Sequence, residues 1–259
     1  MPAMNPEALK HLNLGLAFAE LGQHAEAERE FREAIRLAPN APEAHLPLGA
    51  ALAALGKFAE SERVLRRAIR LSPNWAEAHT NLGNALGAQG YHQEEIKEHR
   101  EAVRLKPDDA VCHCNLGNAL GEQGYHEEAI AELRQAIRLR PDLAAAHFNL
   151  GNVFLRQGNF GEAEKTFREA VRLAPDWAEV HYNLGTVLSE QRKIKEAIDE
   201  LREAIRLRPD FAQALEYLAI TLDEEGMRKE ARVYWERASK VEKGSEWVTR
   251  IKPRLAEPD

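Results

Sequence analysis

The sequence predicts an all-α solenoid of helix-turn-helix repeats, and three observations lead to this fold class. A 34-residue pattern recurs seven times without an insertion between residues 8 and 245. Each copy has leucine followed by glycine or alanine at its positions 7 and 8, and six copies have proline at position 32. No segment shows the period-two alternation that is typical of strands. A fixed period of this size indicates supersecondary units that bury their apolar faces only against their neighbours.

Repeat 4, residues 110–143, illustrates the two helices of each unit. Leu116 and Leu120 are four residues apart and share one face of a first helix. Gly124 is expected to end that helix in the left-handed conformation, and Pro141 is expected to end the second helix. Glycine at position 8 opposite alanine at position 20 is expected to let the two helices approach closely. Asparagine or aspartate at position 33 of six repeats is expected to cap the first helix of the next repeat.

The pattern divides the chain into a short tail, seven repeats and a terminal helix. We expect an N-terminal tail or cap at residues 1–7 and a C-terminal capping helix and tail at residues 246–259. Trp247 and Ile251 are four apart there and are expected to cover the last core. The repeats are residues 8–41, 42–75, 76–109, 110–143, 144–177, 178–211 and 212–245.

The composition argues against several classes of partner. With 35 lysines and arginines against 42 aspartates and glutamates, the net charge is −7, which does not favour nucleic-acid binding. No apolar run of 18 residues predicts a membrane span, and the first residues lack the pattern of a signal peptide. Two cysteines, Cys112 and Cys114, do not indicate a disulfide framework. We therefore expect a cytoplasmic protein without a membrane or nucleic-acid partner.

The residues that recur from repeat to repeat resemble those of the tetratricopeptide repeat family. They are Leu-Gly at positions 7 and 8, alanine at 20, an apolar or aromatic residue at 24, alanine at 27 and proline at 32. The resemblance covers about nine tenths of the chain. It implies a right-handed superhelix in which the first helices line a concave groove, and a function in protein binding. Among family members the sequence looks similar to the long solenoids of the O-GlcNAc transferase type and to bacterial stand-alone repeat proteins. The catalytic domain of that transferase is not part of this sequence.

Asparagine recurs at positions 6 and 9 of the first helices, which lie three residues apart and share one face. A side-chain amide offers donors and an acceptor, which suits the alternating groups of an extended peptide backbone. The resemblance implies the same use, because the transferase-type solenoids bind peptides through such an asparagine ladder. The alternative is that these amides brace the helices. We call the following side chains the amide row: Asn81, Asn84, Asn115, Asn118, Asn149, Asn152 and Asn183.

Three further side chains are expected to line the groove and to select the side chains of the peptide: Phe148, Arg156 and Tyr182. The carboxylate clamp known in the family needs cations at positions where no repeat of this chain supplies them, so a chaperone-tail clamp is not expected. No Ser/His/Asp, zinc or phosphate-loop spacing stands apart from the repeat. We expect no catalytic residue, no bound metal and no cofactor.

Leucines near the N-terminus suggest a second function. Leu9, Leu12 and Leu16, joined by Leu46, are expected to form an apolar groove. Either the tail at residues 1–6 covers it, or it is a self-association surface. The alternative function is therefore a structural assembly scaffold that forms homo-oligomers. A third hypothesis is a substrate-recognition module for an enzyme acting in trans, such as a glycosyltransferase.

Two periodic features have simpler interpretations. Histidine stands at position 4 of six repeats, on helices that stack about 8–10 Å apart, which is too far for two ligands of one zinc. They are expected to pack as half-buried substitutes for aromatic residues: His11, His45, His79, His113, His147 and His181. Arginines at positions 25 and 29 alternate with acids, which is typical of a solvated, salt-bridged outer face. The alternative for the arginines is a docking stripe for an acidic surface.

Repeat 3 departs from the pattern at two positions. Glu95 stands at position 20, where alanine is usual, and His99 stands at position 24, where leucine or phenylalanine is usual. They are four residues apart, so we expect them to meet on the buried side of the second helix. A paired carboxylate and imidazole is tolerable there, whereas either alone is costly. The pair predicts a locally loosened repeat.

Overall fold

The computed structural model describes residues 4–241, which form fourteen α-helices and no β-strand. This confirms the all-α fold class for the described residues. The chain divides into two compact units, Met1–Leu139 and Arg140–Asp259. The first unit contains α1 (Pro6–Glu20), α2 (His24–Leu37), α3 (Pro42–Ala54), α4 (Phe58–Leu71), α5 (Ala76–Gly87), α6 (His92–Leu105), α7 (Ala110–Glu122) and α8 (His126–Leu139). The second unit contains α9 (Ala144–Arg156), α10 (Phe160–Leu173), α11 (Ala178–Glu190), α12 (Ile194–Leu207), α13 (Ala212–Glu224) and α14 (Arg228–Val241).

The helices pair in chain order within each unit. Each odd-numbered helix packs most extensively on the even-numbered helix that follows it, so that every repeat is one helical hairpin. In the first unit α2 also packs on α3, α4 on α5, and α6 on α7; in the second unit α10 packs on α11, and α12 on α13. Within a unit each repeat therefore covers the apolar face of its neighbour, as the 34-residue period predicts.

Glycine at position 8 of the first helix makes room for the side chain at position 24 of the second. A Cβ on Gly49 would lie 2.5 Å from Cγ of Leu65, and a Cβ on Gly151 would lie 2.6 Å from Cε1 of Phe167. Both distances are shorter than real carbon contacts, so any larger residue would force the helices apart. The close approach was predicted from the sequence. However, the side chain that lies nearest to the glycine at position 8 is the one at position 24, not the alanine at position 20.

A left-handed residue ends the first helix of each described repeat. Gly124, predicted for this role, has a φ of 81°. The N–H of Tyr125 donates to the carbonyl of Leu120 at 3.0 Å across the turn. In repeat 6 the same place is taken by Arg192 with a φ of 62°. That conformation costs a residue with a Cβ roughly 1–2 kcal/mol.

The caps predicted at position 33 are wrong. The turn after the proline continues through position 33, and the N-cap is the next residue, such as Ala41 for α3 and Trp75 for α5. Neither makes a side-chain capping bond. Asn40 is free of a capping role, and its Oδ1 accepts a hydrogen bond from Nη2 of Arg67 at 2.8 Å.

The described residues have α1 at their N-terminal end and α14 at their C-terminal end. Asn5 caps α1, because its Oδ1 accepts from the N–H of Ala8 at 2.7 Å, so the helix begins before the predicted start of repeat 1 at residue 8. Met4 packs against the apolar cluster around Phe31. The predicted capping helix at residues 246–259 lies outside the described residues. No helix within residues 4–241 is long and apolar enough to cross a membrane.

Candidate peptide-binding site

The first unit carries four members of the amide row on two first helices. Asn81 and Asn84 lie on α5, and Asn115 and Asn118 lie on α7; all are half-buried except the exposed Asn84. Within residues 4–241 the side chains of Asn81, Asn84 and Asn115 make no hydrogen bond. Asn118 donates from Nδ2 to Oε1 of Glu122 at 3.3 Å. Three amides in this unit therefore keep their donors and acceptors for a ligand.

The second unit carries three members of the amide row on α9 and α11. Asn149, Asn152 and Asn183 are half-buried. Nδ2 of Asn183 donates to Oδ1 of Asn152 at 2.7 Å, which joins position 6 of one repeat to position 9 of the repeat before it. The bond uses one of the two N–H groups of Asn183 and one lone pair of Asn152, so both amides keep further capacity. This part of the row braces two helices and also presents polar groups.

The aromatic residues predicted to line the groove pack against the aromatic residue that ends their own repeat. The ring of Phe148 lies 4.6 Å from that of Trp177, and the ring of Tyr182 lies 5.1 Å from that of Phe211. Burial raises the pKa of the Tyr182 phenol, so it is a neutral donor at physiological pH. Both rings are half-buried, and Arg156 is exposed at the end of α9. These aromatic residues support the helices as well as facing outward.

The four N-terminal leucines differ in exposure. Leu9 and Leu16 are 46% and 41% exposed, whereas Leu12 is only 8% exposed and packs with Phe31 in the core of the first repeats. Leu46 is half-buried and packs on the cluster of repeats 2 and 3. Leu12 is therefore a core residue, because α1 turns it toward α2. The four leucines do not form one continuous exposed groove.

The position-4 histidines make specific hydrogen bonds, which the sequence reasoning missed. In repeats 3, 4 and 6 one ring nitrogen faces a glutamate at position 23 and the other faces the carbonyl of the proline that closes the preceding repeat. For His79 the distances are 2.7 Å from Nδ1 to Oε2 of Glu98 and 3.1 Å from Nε2 to the Pro73 oxygen. The corresponding groups are His113 with Glu132 and Pro107, and His181 with Glu200 and Pro175. His11 of repeat 1 contacts Glu30 in the same way.

For His79 and His181 these contacts favour the charged imidazole. A carboxylate and a carbonyl both only accept, so an imidazole that bonds to both needs two N–H groups. The hydrogen bond with Glu98 is the main reason that the pKa of His79 is raised. For His181 burial opposes the charge, but the bonds to Glu200 and the Pro175 carbonyl outweigh it and raise the pKa. The signal in the sequence was glutamate at position 23 of these repeats.

The arginines at position 25 link successive repeats through ion pairs. Nη2 of Arg32 lies 2.6 Å from Oε2 of Glu60, and Nη2 of Arg66 lies 2.7 Å from Oε2 of Glu94. The same 28-residue spacing joins Arg100 to Glu128, Arg168 to Glu196 and Arg202 to Glu230. The arginines are at least one-third exposed, so each pair contributes little to stability. The salt-bridged outer face predicted from the alternating charges is present.

In repeat 3 the predicted pairing of Glu95 with His99 is wrong. Oε2 of Glu95 lies 3.1 Å from Nδ1 of His92, on the preceding turn of α6. Nδ1 of His99 is buried and has no hydrogen-bond partner. Its ring fills the space beside Gly83. Burial lowers the pKa of His99 to about 4 and raises that of Glu95, so both side chains lose their charge more easily than usual.

No described cluster indicates metal chemistry. Among residues 4–241, no three or more His, Cys, Asp or Glu side chains are placed to hold a metal ion. The notable arrangements are instead the amide row, the histidine contacts and the ion pairs, which all repeat with the 34-residue period.

Family models of the tetratricopeptide repeat match most of the chain. One model matches residues 12–74, 46–110 and 182–245, a second matches residues 142–210, and a third matches residues 117–158. This chain belongs to the tetratricopeptide repeat family. The repeats of this family form protein-interaction scaffolds, and the fold is typically non-catalytic. No curated protein matches the sequence.

Solved tetratricopeptide repeat structures share the fold. One chain in the crystal structure of the APC/C hetero-tetramer Cut9–Hcn1 is 18% identical in sequence, with a TM-score of 0.82. The match covers 94% of this chain and 48% of that chain. This chain therefore spans about half the length of that relative. PilF from Pseudomonas aeruginosa is 22% identical with a TM-score of 0.71, over 82% of this chain and 96% of that one. YrrB, described as having an unusual peptide-binding site, is 22% identical with a TM-score of 0.54, over 71% and 95%.

Proposed function

We propose that this tetratricopeptide repeat protein is a scaffold that binds an extended peptide segment through the backbone of the peptide, using the amide row. The observation that carries the proposal is that the amides of Asn81, Asn84 and Asn115, on neighbouring first helices, make no hydrogen bond within residues 4–241. Half-buried amides without protein partners retain hydrogen-bonding capacity that a ligand can satisfy. A peptide backbone presents one donor and one acceptor per residue, which matches an amide without requiring a particular side chain.

The second unit supports the same role in a different way. The bond between Asn183 and Asn152 fixes the orientation of both amides, and a fixed group loses less entropy on binding than a mobile one. Phe148 and Tyr182 would contact side chains of the peptide beside the row, and Arg156 would favour an acidic side chain. YrrB, which shares the fold, is described as having a peptide-binding site. That description supports the proposal by analogy.

The test begins with peptides selected on the full chain from a random phage-displayed library. The affinity of the best peptide is then measured for the parent and for the variant Asn81→Ala with Asn115→Ala. Each lost hydrogen bond costs about 0.5–1.5 kcal/mol, so the loss of one bond at each amide should weaken binding by about 5–160-fold. Circular dichroism should show unchanged helix content, since neither side-chain amide makes a hydrogen bond within residues 4–241.

Asn13→Ala provides the matched control. Asn13 is also at position 6 of a first helix, but it is in repeat 1 and outside the amide row. We expect its replacement to leave the affinity unchanged. Equal affinity of the parent and the double variant for every selected peptide would show that the row does not bind the backbone.

A second candidate function, self-association, is favoured by the exposure of Leu9 and Leu16 on α1. Leu9 and Leu16 are seven residues apart and share one face of α1, and a contiguous exposed apolar patch marks an interaction surface. Light scattering at increasing concentration should then show dimers or larger species. Leu9→Glu with Leu16→Glu should give a monomer, and Leu55→Glu, at an exposed leucine after α3, should not. A parent that is monomeric at all concentrations would exclude this function.

A further inference from the structure

A pocket of about 510 Å³ lies among α2, α3 and α4 in the first unit. Its floor is apolar and consists of Ile35, Leu48 and Val64. The residues on α2 and α4 that line it belong to second helices, so the pocket is separate from the amide row. Pockets of this size hold a small ligand or a few residues of a peptide.

Two departures from the chain's own pattern form the pocket. Position 23 is glutamate in repeats 1, 3, 4 and 6, where it contacts the position-4 histidine, but in repeat 2 it is Val64. Position 26 is glutamate in repeats 1, 3, 5 and 6, where it pairs with the arginine three residues later, but in repeat 2 it is Arg67. One repeat has thus lost two acids and gained an apolar and a cationic side chain.

His45 shows the local effect of the first departure. With no carboxylate at position 23, its Nδ1 lies 2.9 Å from the carbonyl of Ala41, to which it donates a hydrogen bond. Burial, with a smaller contribution from nearby Arg67, lowers the pKa of His45. The ring is therefore neutral at physiological pH and forms one wall of the pocket. It adds no charge of its own.

The pocket has more positive charge than its acids can balance. Within residues 4–241 the guanidinium of Arg63 makes no hydrogen bond or ion pair, and that of Arg67 bonds only to the neutral amide of Asn40. Arg32 and Arg36 also line the pocket, but glutamates already pair with both. Arg63 and Arg67 are four residues apart on α4 and so share one face. Two uncompensated guanidiniums thus stand beside an apolar floor.

We propose that this pocket binds a short acidic peptide segment of a partner protein. Its carboxylates would pair with Arg63 and Arg67, and an apolar side chain between them would lie on Ile35, Leu48 and Val64. Guanidinium groups bind carboxylates bidentately, which gives geometric specificity as well as attraction. A long polyanion such as a nucleic acid is disfavoured, because Glu28, Glu33 and Glu60 stand around the pocket and the chain carries a net charge of −7.

The probe is a fluorescein-labelled peptide, Gly-Glu-Leu-Phe-Glu-Gly with an amidated C-terminus, measured by fluorescence anisotropy with the full chain. We expect saturable binding that weakens with added salt, and at least tenfold weaker binding of the analogue in which glutamine replaces both glutamates. The variant Arg63→Glu with Arg67→Glu should bind the acidic peptide at least tenfold more weakly than the unchanged protein does. Arg70→Glu is the matched control, since Arg70 is exposed on the same helix, does not line the pocket and makes no hydrogen bond or ion pair within the described residues. It should change the affinity less than twofold.

A second variant tests the pocket without reversing an exposed charge at Arg63. Val64→Glu with Arg67→Glu gives repeat 2 the acids that repeats 1, 3 and 6 already carry, so the helix content should be unchanged. Binding should again fall at least tenfold, because the carboxylate introduced in place of Val64 would bind His45 and close the floor. The library-selected peptide of the amide row should bind this variant as tightly as it binds the parent, which separates the pocket from the amide row.

Three results would overturn the proposal: no saturable binding at millimolar concentration, equal binding of the acidic peptide and its glutamine analogue, or equal losses in Arg70→Glu and in the pocket variants. Equal losses would mean that the positive charge of α4 as a whole, and not the pocket, attracts the acidic peptide.

Discussion

The carboxylate of Glu95 occupies the space beside Gly87 where a side chain would otherwise lie. A Cβ built on Gly87 would be 2.5 Å from Cδ of Glu95. These two residues are positions 20 and 12 of repeat 3, and in repeat 1 the same positions are Ala27 and Ala19. The large residue on the second helix is thus accommodated by the missing side chain on the first. In repeat 3 the second helix therefore has a larger side chain at position 20, and the first helix has none at position 12.

This compensation in size predicts that the two positions are energetically coupled. Gly87→Ala should stabilise the protein by about 0.5–3 kcal/mol more in the Glu95→Ala background than in the parent. The reason is that alanine favours the helix in both, but collides with the carboxylate only in the parent. A double-mutant cycle by urea denaturation measures the difference. If Gly87→Ala had the same effect in both backgrounds, the two residues would not compensate each other.

His99 predicts a loss of stability in acid. Its folded-state pKa of about 4 lies below the usual 6.5, so its neutral form stabilises the fold above pH 6.5, and this contribution is lost as the pH falls toward 4. His99→Leu removes the titration. Its advantage over the parent should therefore grow by about 2 kcal/mol between pH 7 and pH 5, as measured by urea denaturation.

A reciprocal variant serves as the control for His99. Leu133 occupies the same position 24 in repeat 4 and is fully buried beside Gly117. Leu133→His should introduce a similar acid sensitivity there. If the stability difference between His99→Leu and the parent did not change with pH, the imidazole would have to be accessible to protons without cost in the folded protein.

His79 predicts the opposite pH dependence. Its pKa is raised chiefly by the hydrogen bond with Glu98, so the contribution is fully present below pH 6.5 and disappears as the pH rises through the folded-state pKa. Glu98→Gln should lower the pKa of His79 in an NMR titration. The variant should also lose more stability relative to the parent at pH 6 than at pH 8.

The matched variant for His79 is in the second unit. Glu200→Gln should lower the pKa of His181 and leave that of His79 unchanged, because Glu200 contacts His181. An unchanged His79 pKa in Glu98→Gln would mean that the carboxylate does not hold the charged ring.

The sequence was sufficient to predict the fold class because the same helix-forming and helix-ending residues recur from repeat to repeat. Leu116, Gly124 and Pro141 each predicted a helix face or a helix end, and the structure has them there. The capping prediction failed at Asn40, because the sequence does not reveal how many residues the turn after a proline takes. Arg192 gave no signal by its residue type, and its left-handed conformation follows only from the register of the repeats.

The site was harder to predict because it depends on pairs of residues in different helices. The amides on the first helices followed from spacing alone, but the bond between Asn183 and Asn152 depends on side-chain orientation. Glu95 was expected to meet His99 from their separation of four residues, yet the closer nitrogen belongs to His92. Leu12 was predicted to line an open groove, although its side chain packs in the apolar cluster with Phe31. Spacing within one helix could not resolve these choices.

The central claim is that the amide row binds a peptide by its backbone, and backbone N-methylation tests it most directly. A library-selected peptide would be N-methylated at one residue at a time and titrated against the parent and against Asn81→Ala with Asn115→Ala. At the residues that face these amides, N-methylation removes the donor and should weaken binding to the parent by about 2–13-fold. The same change should have little effect on the variant, which has already lost the partners. Equal losses in the parent and in the variant at every residue of the peptide would contradict the claim.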